Sequence, residues 1–162
     1  MPPTPAIPLG FGRQSLSPEP LECPCGGGAY NRCCGPLITG EQVAVTAQQL
    51  MRSRYSAFAL GARDPEAIEH LLRTHPEPGQ TAAARRKGLK DSCRTIEWLS
   101  LDVLNFENGG PLDHFGTVTF AARWRDRDRR EGVLKEWSRF GRGESGEWLY
   151  LEALNLDDDK EG

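Results

Sequence analysis

Four of the chain's five cysteines fall within one twelve-residue stretch, Cys23-Pro24-Cys25-Gly26-Gly27-Gly28-Ala29-Tyr30-Asn31-Arg32-Cys33-Cys34. Two close pairs of thiols bracket three glycines. Zn²⁺ takes four soft ligands at the corners of a tetrahedron, with sulfur about 2.3 Å from the metal. For four thiolates to converge, the chain between the pairs has to turn back sharply. Gly26, Gly27 and Gly28 permit that turn, because glycine tolerates positive φ and close backbone approach. Their amides can also donate hydrogen bonds to the sulfurs. With Cys23, Cys25, Cys33 and Cys34 all bound, no position is left for a water, so the expected zinc is structural. The rival readings are a pair of disulfides or four unrelated thiols. Met1 to Arg13 is interrupted by Pro2, Pro3, Pro5 and Pro8 and has no basic segment ahead of an apolar one, so it does not read as a secretory signal. The expected compartment is therefore the reducing cytoplasm, where free thiols and zinc are favoured over disulfides.

Other residues could do chemistry only with help from the fold. Cys93 stands alone and reads as a small buried apolar residue rather than a nucleophile. Arg52 and Arg54 are two apart on a predicted helix and cannot share one narrow stripe. Arg54 sits beside Met51, Tyr55 and Phe58, and is expected to pair with a carboxylate, Glu136 or Asp102, that pins helix to sheet. Its other reading is a pocket cation, because a guanidinium grips carboxylate or phosphate as a fork. His75 precedes Pro76 in a loop. A loop histidine can act as a general base, but more often caps or faces solvent; His70 and His114 carry less signal. Arg123, Arg125, Arg127, Arg129 and Arg130 surround Trp124 but alternate with aspartates, which suits a solvated hairpin better than a phosphate track. Trp98, Trp124, Trp137 and Trp148 all fall in predicted strands, where core packing competes with the lining of a pocket. No Walker loop, dinucleotide fingerprint, His-Glu-x-x-His or nucleophile elbow is present.

The elements that must position these residues change texture along the chain. Residues 1–21 hold six prolines and read as a flexible leader. Residues 22–40 form the knuckle. Thr46 can cap a helix, and Ala47, Leu50, Met51, Tyr55, Phe58 and Ala59 recur at helical spacing up to Gly61. Asp64-Pro65 opens a short second helix, and a third covers Thr81 to about Asp91. From Thr95 the period falls to two, giving strands at Thr95–Phe106, His114–Trp124, Gly132–Phe140 and Glu147–Leu154 with hairpin connectors. Helices followed by consecutive antiparallel strands is an α+β pattern, helices packed on one face of a curved sheet. Residues 41–156 are read as this domain, with a core of its own from Thr46 to Leu154, and 157–162 as a solvated acidic tail.

At this point the motifs become recognisable. Cys-x-Cys, a Gly-rich stretch and Cys-Cys resemble the SEC-C zinc motif, best known at the C-terminus of the SecA translocation ATPase. Leu50 to Phe58 resembles the "MRSRYSAF" signature of the YchJ-like family of SEC-C proteins. Thr74-His75-Pro76, Trp98-Leu99-Ser100-Leu101, Glu136 to Phe140 and Trp148-Leu149-Tyr150 are similar to that family's later blocks. The resemblance spans roughly residues 22–154. It implies a zinc knuckle followed by a domain similar to nuclear transport factor 2, a cone of helices over a curved sheet. The family has no established biochemical function. Three departures stand out: one residue fewer between Cys25 and Cys33 than the motif usually has, Lys135 where relatives usually have histidine, and Trp137 where they have arginine or a similar residue.

Composition narrows the partners. Lys and Arg number 20 against 23 Asp and Glu, a net charge of −3, without the basic footprint of a dedicated nucleic-acid binder. No apolar run is long enough to span a bilayer. Two function classes follow. The first is a zinc-stabilised interaction or adaptor module with another protein as partner and no catalytic residues. The second is a small-molecule binder or enzyme using the cone, with Arg54, Tyr55, His75, Trp98 and Glu136 as pocket candidates.

Overall fold

Three hydroxyl or carboxylate caps start the long helices. Thr46 Oγ1 accepts from the Gln49 amide at 3.1 Å, and the Gln49 side chain accepts from the Val45 amide at 2.7 Å, a reciprocal arrangement close to a capping box. Asp64 and Thr81 accept from the Glu66 and Ala84 amides in the same way. The computed structural model describes residues 21–161, so the expected leader lies almost wholly outside the described residues. A 3-10 turn at Tyr30–Arg32 and a short helix α1 (Gly35–Thr39) follow the glycines. Then come α2 (Ala47–Leu60), α3 (Pro65–Arg73) and α4 (Ala82–Thr95). The α4 helix runs to Thr95, past the expected stop near Asp91.

Four strands complete the chain: β1 (Ile96–Asn108), β2 (Phe115–Asp126), β3 (Glu131–Arg142) and β4 (Trp148–Glu161). They pair antiparallel in sequence order. Register shifts interrupt β1 against β2 near Trp98 and Val103, and β3 against β4 near Trp137 and Arg139. Bulges of this kind bend a sheet. Val118, Ala122 and Trp124 of β2 are buried, so the alternation expected for that strand is met. The architecture is the α+β one expected, helices over one face of a curved antiparallel sheet.

Three expectations change. Within the acidic run expected as a tail, 157–161 is strand: Asp157, Asp158 and Asp159 pair with Lys135, Leu134 and Val133 as the end of β4. The indole N–H of Trp124 donates to Asp158 at 2.9 Å, and backbone pairing to β3 holds the rest. Trp137 is not in the core: it alternates with buried Glu136 and Ser138, lies on the outer face and is 46% exposed. The boundary at 40/41 does not separate two cores. Cys23, Cys25, Cys34 and Ile38 belong to the same buried cluster as Leu50, Tyr55, Leu71 and Phe140. Arg73 extends from α3 to the carbonyls of Leu37 and Ile38, closing the end of α1 onto it.

Where α2, α3 and α4 meet, the fit is close. A Cβ on Gly61 would lie 2.5 Å from Cys93 Sγ, 3.0 Å from Ile68 Cδ1 and 3.1 Å from the Ala57 carbonyl oxygen. Cys93 is therefore a packing residue, and burial pushes its thiol up to about 11, which keeps it protonated and inert. Gly61→Ala is expected to lower unfolding stability by about 1–3 kcal/mol through overpacking, measured by denaturant titration. An unchanged midpoint would show that the three helices can part at little cost.

Candidate metal centre and cavity

The knuckle is a tight backbone turn before it is a ligand set. The Cys23 amide donates to the Gly28 carbonyl at 2.8 Å and the Gly26 amide to the Cys23 carbonyl at 2.9 Å. Gly26 and Gly28 have φ of +82° and +120°, values that L side chains resist. Gly27 is excluded from change for another reason: a Cβ there would lie 2.9 Å from Cys33 Sγ and 3.2 Å from Cys25 Sγ. The turn so formed brings the four Sγ atoms of Cys23, Cys25, Cys33 and Cys34 within 4.8 Å of one another. Sulfurs at about 2.3 Å from a tetrahedral ion are separated by roughly 3.8 Å; Cys25–Cys33 and Cys33–Cys34 lie at 3.5 and 4.0 Å. The shortened Cys25–Cys33 spacing does not keep Cys34 out of the group.

The protein alone does not favour four thiolates here. Hydrogen bonds from the Cys25 and Cys34 thiols, with help from Ser56, hold Cys23 far below the usual thiol range. Desolvation and the neighbouring Cys25 push Cys33 up to about 12. Cys34 is pushed up as well, by its bonding to Cys23 and Cys25 and by burial. Negative charge is accommodated at Cys23 and disfavoured at Cys33 and Cys34. A divalent cation would remove that repulsion and take all four sulfurs, so the donor set fits one metal ion. Helix α2 supports the group from behind: Ser56 Oγ lies 3.4 Å from Cys23 Sγ, and Arg52 Nη1 donates to the Cys25 carbonyl at 3.0 Å.

The opposite flank of α2 lines a cavity of about 220 Å³ against the sheet. Its walls include Met51, Tyr55 and Phe58 of α2, Trp98 of β1, Phe120 of β2, Leu134 and Phe140 of β3 and Tyr150 of β4. Tyr55 and Trp98 meet edge to face at 6.0 Å between centroids. Two charged groups share this apolar space, Arg54 and Glu136. They do not form the ion pair expected from the sequence. Arg54 Nη1 donates instead to the Leu71 carbonyl at 3.0 Å and Thr74 Oγ1 at 2.7 Å, at the end of α3. Its guanidinium lies 5.0 Å from the Tyr150 ring centroid and 5.9 Å from that of Phe58. Glu136, 8% exposed, accepts from the Ser138 and Tyr150 hydroxyls on Oε2. Tyr150 therefore touches both groups, ring to the cation and hydroxyl to the anion. Desolvation lowers the Arg54 guanidinium to about 10, which leaves it charged at neutral pH, and burial beside Glu136 pushes the Tyr150 phenol up.

The other candidates fall away from the cavity. Asp102 is exposed, opposite Ala121 on the outer face. His75 does not line the space; its Nδ1 lies 2.8 Å from the Tyr150 carbonyl oxygen and its ring meets the Tyr150 ring at 4.8 Å, so it braces that tyrosine. Trp124 and Trp148 are buried, the latter donating to the Val45 carbonyl. Sequence reasoning passed over Tyr150 and Ser138. Both were within reach of it, since Tyr150 follows Trp148 by two and Ser138 follows Glu136 by two, the spacing of one strand face. His70, which carries little signal in the sequence, is buried: Ser53 Oγ lies 2.8 Å from its Nε2 and Arg73 Nη2 lies 3.0 Å from its Nδ1.

Comparison with known proteins follows the same architecture. Residues 46–153 match the family model described as the middle, NTF2-like domain of YchJ. A UPF0225 protein of Ralstonia nicotianae is 44% identical over 139 residues, which cover 81% of this chain and 89% of that relative. A UPF0225 protein of Chromobacterium violaceum is 40% identical over 134 residues, 82% and 91% of the two chains. The solution structure of a SEC-C motif containing protein from Rhodopseudomonas palustris superposes with a TM-score of 0.67 at 30% identity, over 85% of this chain and 100% of that one.

Proposed function

Because the chain belongs to the YchJ-like family of SEC-C motif proteins, we propose that its knuckle holds one structural zinc ion and that its working site is the cavity between α2 and the sheet, which binds a small molecule. Four sulfur donors in a closed group suit zinc. The observation that carries the second part is the pairing of apolar walls with two charged groups that leave each other unpaired, Arg54 and Glu136. A space filled by its own side chains would not keep a desolvated guanidinium there. Binding is favoured over catalysis, since His75 stands outside the cavity and the Ser138 and Tyr150 hydroxyls are both engaged by Glu136.

The knuckle as a surface offered to another protein is the weaker reading. Three of its four cysteines are buried in the chain's own core and its neighbours are α2 and α1, so the metal supports the fold inward.

Ligand-observed NMR against a set of small aromatic and alicyclic fragments tests the cavity. Fragments are expected to bind the wild type and to be lost in Leu134→Phe, which fills the space from its partly exposed wall. Binding that survives this substitution would place the ligand elsewhere.

A further inference from the structure

The geometry points to the class of ligand: a small carboxylic acid with a flat apolar body, its carboxylate held by the free edge of Arg54. This rests on the cavity being a binding site and adds what it selects. A guanidinium has five N–H donors in one plane, and its Nε and Nη2 form a fork that matches the two oxygens of a carboxylate. In Arg54 the Nη1 side is engaged by Leu71 and Thr74. Among the described residues, Nε and Nη2 have no hydrogen-bond partner, and no carboxylate forms an ion pair with the group. The plane is flanked by the rings of Tyr150 and Phe58, so the orientation of the fork is held before any ligand arrives. Arg54 lines the cavity, and Nε and Nη2 are the donors that Leu71 and Thr74 leave to it.

Charge then separates the candidate anions. Glu136 lines the same cavity from β3 and is bonded to the tyrosine that flanks Arg54. A phosphate with two negative charges would meet one cation, one carboxylate and walls that cannot hydrate it. A single carboxylate is matched by the single guanidinium. Size and shape set the rest. At about 220 Å³ the space is smaller than the roughly 300–1,000 Å³ of sites for drug-sized ligands. Trp98, Phe120 and Phe140 offer ring faces and edges on which a flat body can lie.

Cinnamate and cinnamyl alcohol are matched probes, alike in ring and length and different in charge. Isothermal titration of the full chain is expected to show cinnamate binding at least about tenfold more tightly than the alcohol, the increment of a charge-assisted hydrogen-bonded pair. Arg54→Lys keeps the charge and loses the fork, and should narrow that difference. Glu136→Gln removes the competing negative charge and should tighten cinnamate relative to the alcohol. If Arg54→Lys fails to fold, the wild-type comparison and Glu136→Gln still decide. Equal affinity for acid and alcohol would overturn the carboxylate assignment and leave the cavity as a binding site. No binding of either probe at millimolar concentration would overturn both.

Discussion

Protein purified without added metal is expected to carry about one zinc per chain, and stripping that zinc to lower the stability of the whole domain. The reason lies in where the cysteines sit. Cys23, Cys25 and Cys34 are 4%, 1% and 1% exposed and share a cluster with Tyr55, Leu71 and Phe140. Without a cation nothing bridges the four sulfurs, and the turn is left with its backbone hydrogen bonds and its contacts to α2. Loosening the turn also frees Arg52 from the Cys25 carbonyl and Ser56 from Cys23 on α2. A ligand present at a thousand times its Kd contributes about 4 kcal/mol, and a loss of that order is expected on chelation or in Cys34→Ser. Elemental analysis gives the stoichiometry, and thermal unfolding with and without chelator gives the stability. The same reasoning expects a chain beginning near Glu41 to be destabilised, since it would expose the faces of α2 and α3 that the knuckle covers. Metal-free protein with an unchanged melting temperature in reducing buffer would defeat the proposal.

The second large effect is acid lability from one histidine. His70 is 3% exposed on α3. Arg73 donates to its Nδ1, so the proton of the neutral ring is on Nε2 and faces Ser53, whose hydroxyl in turn donates to the Leu50 carbonyl. Burial first, then the charges of Arg73 and Arg54, lowers its pKa from 6.5 to about 3. The neutral form is the one the fold accepts. Between those two values the unfolded chain binds a proton that the folded chain does not, so stability is fully present above about pH 6.5 and falls as pH drops below it. By about pH 5 the loss from this residue is about 2 kcal/mol. His75, also lowered by burial, acts in the same direction, and metal release adds to it. The informative measurement is therefore the difference between wild type and His70→Gln, whose amide can serve both Ser53 and Arg73. The variant should lose less stability than the wild type between about pH 7 and pH 5, by about that amount. Parallel pH profiles would remove His70 as the cause.

Much of this was legible one residue at a time. The caps Thr46, Asp64 and Thr81 act within three residues of themselves, so α2, α3 and α4 begin where the sequence places them. Period-two alternation marked four strands because one face of the sheet is covered and the other faces water. The four cysteines were identifiable because their spacing and the intervening glycines describe a turn that needs no distant partner. Helix α1 was missed, being five residues long and opened by Gly35-Pro36 without a periodic pattern.

The errors share a different origin. Glu136 was assigned to Arg54 because both belong to inward faces, yet strand pairing sets Phe140 against Tyr150, and that tyrosine takes both the cation and the anion. Trp137 was placed inside on hydrophobicity alone, while the alternation of β3, with Glu136 and Ser138 inward, turns it out. The knuckle was drawn as a separate piece because its motif is local, although its buried side is completed by Ser56 and Leu71, which lie far along the chain. The sequence by itself determined the three long helices, the four strands, the four-cysteine group and the class of fold, since caps, turns and periodicity depend on neighbours within a few residues. The tertiary structure alone decided that Arg54 lines a cavity without pairing with Glu136 and that the cysteine group and the domain share one core, because both depend on which distant side chains meet in the same few ångströms of space.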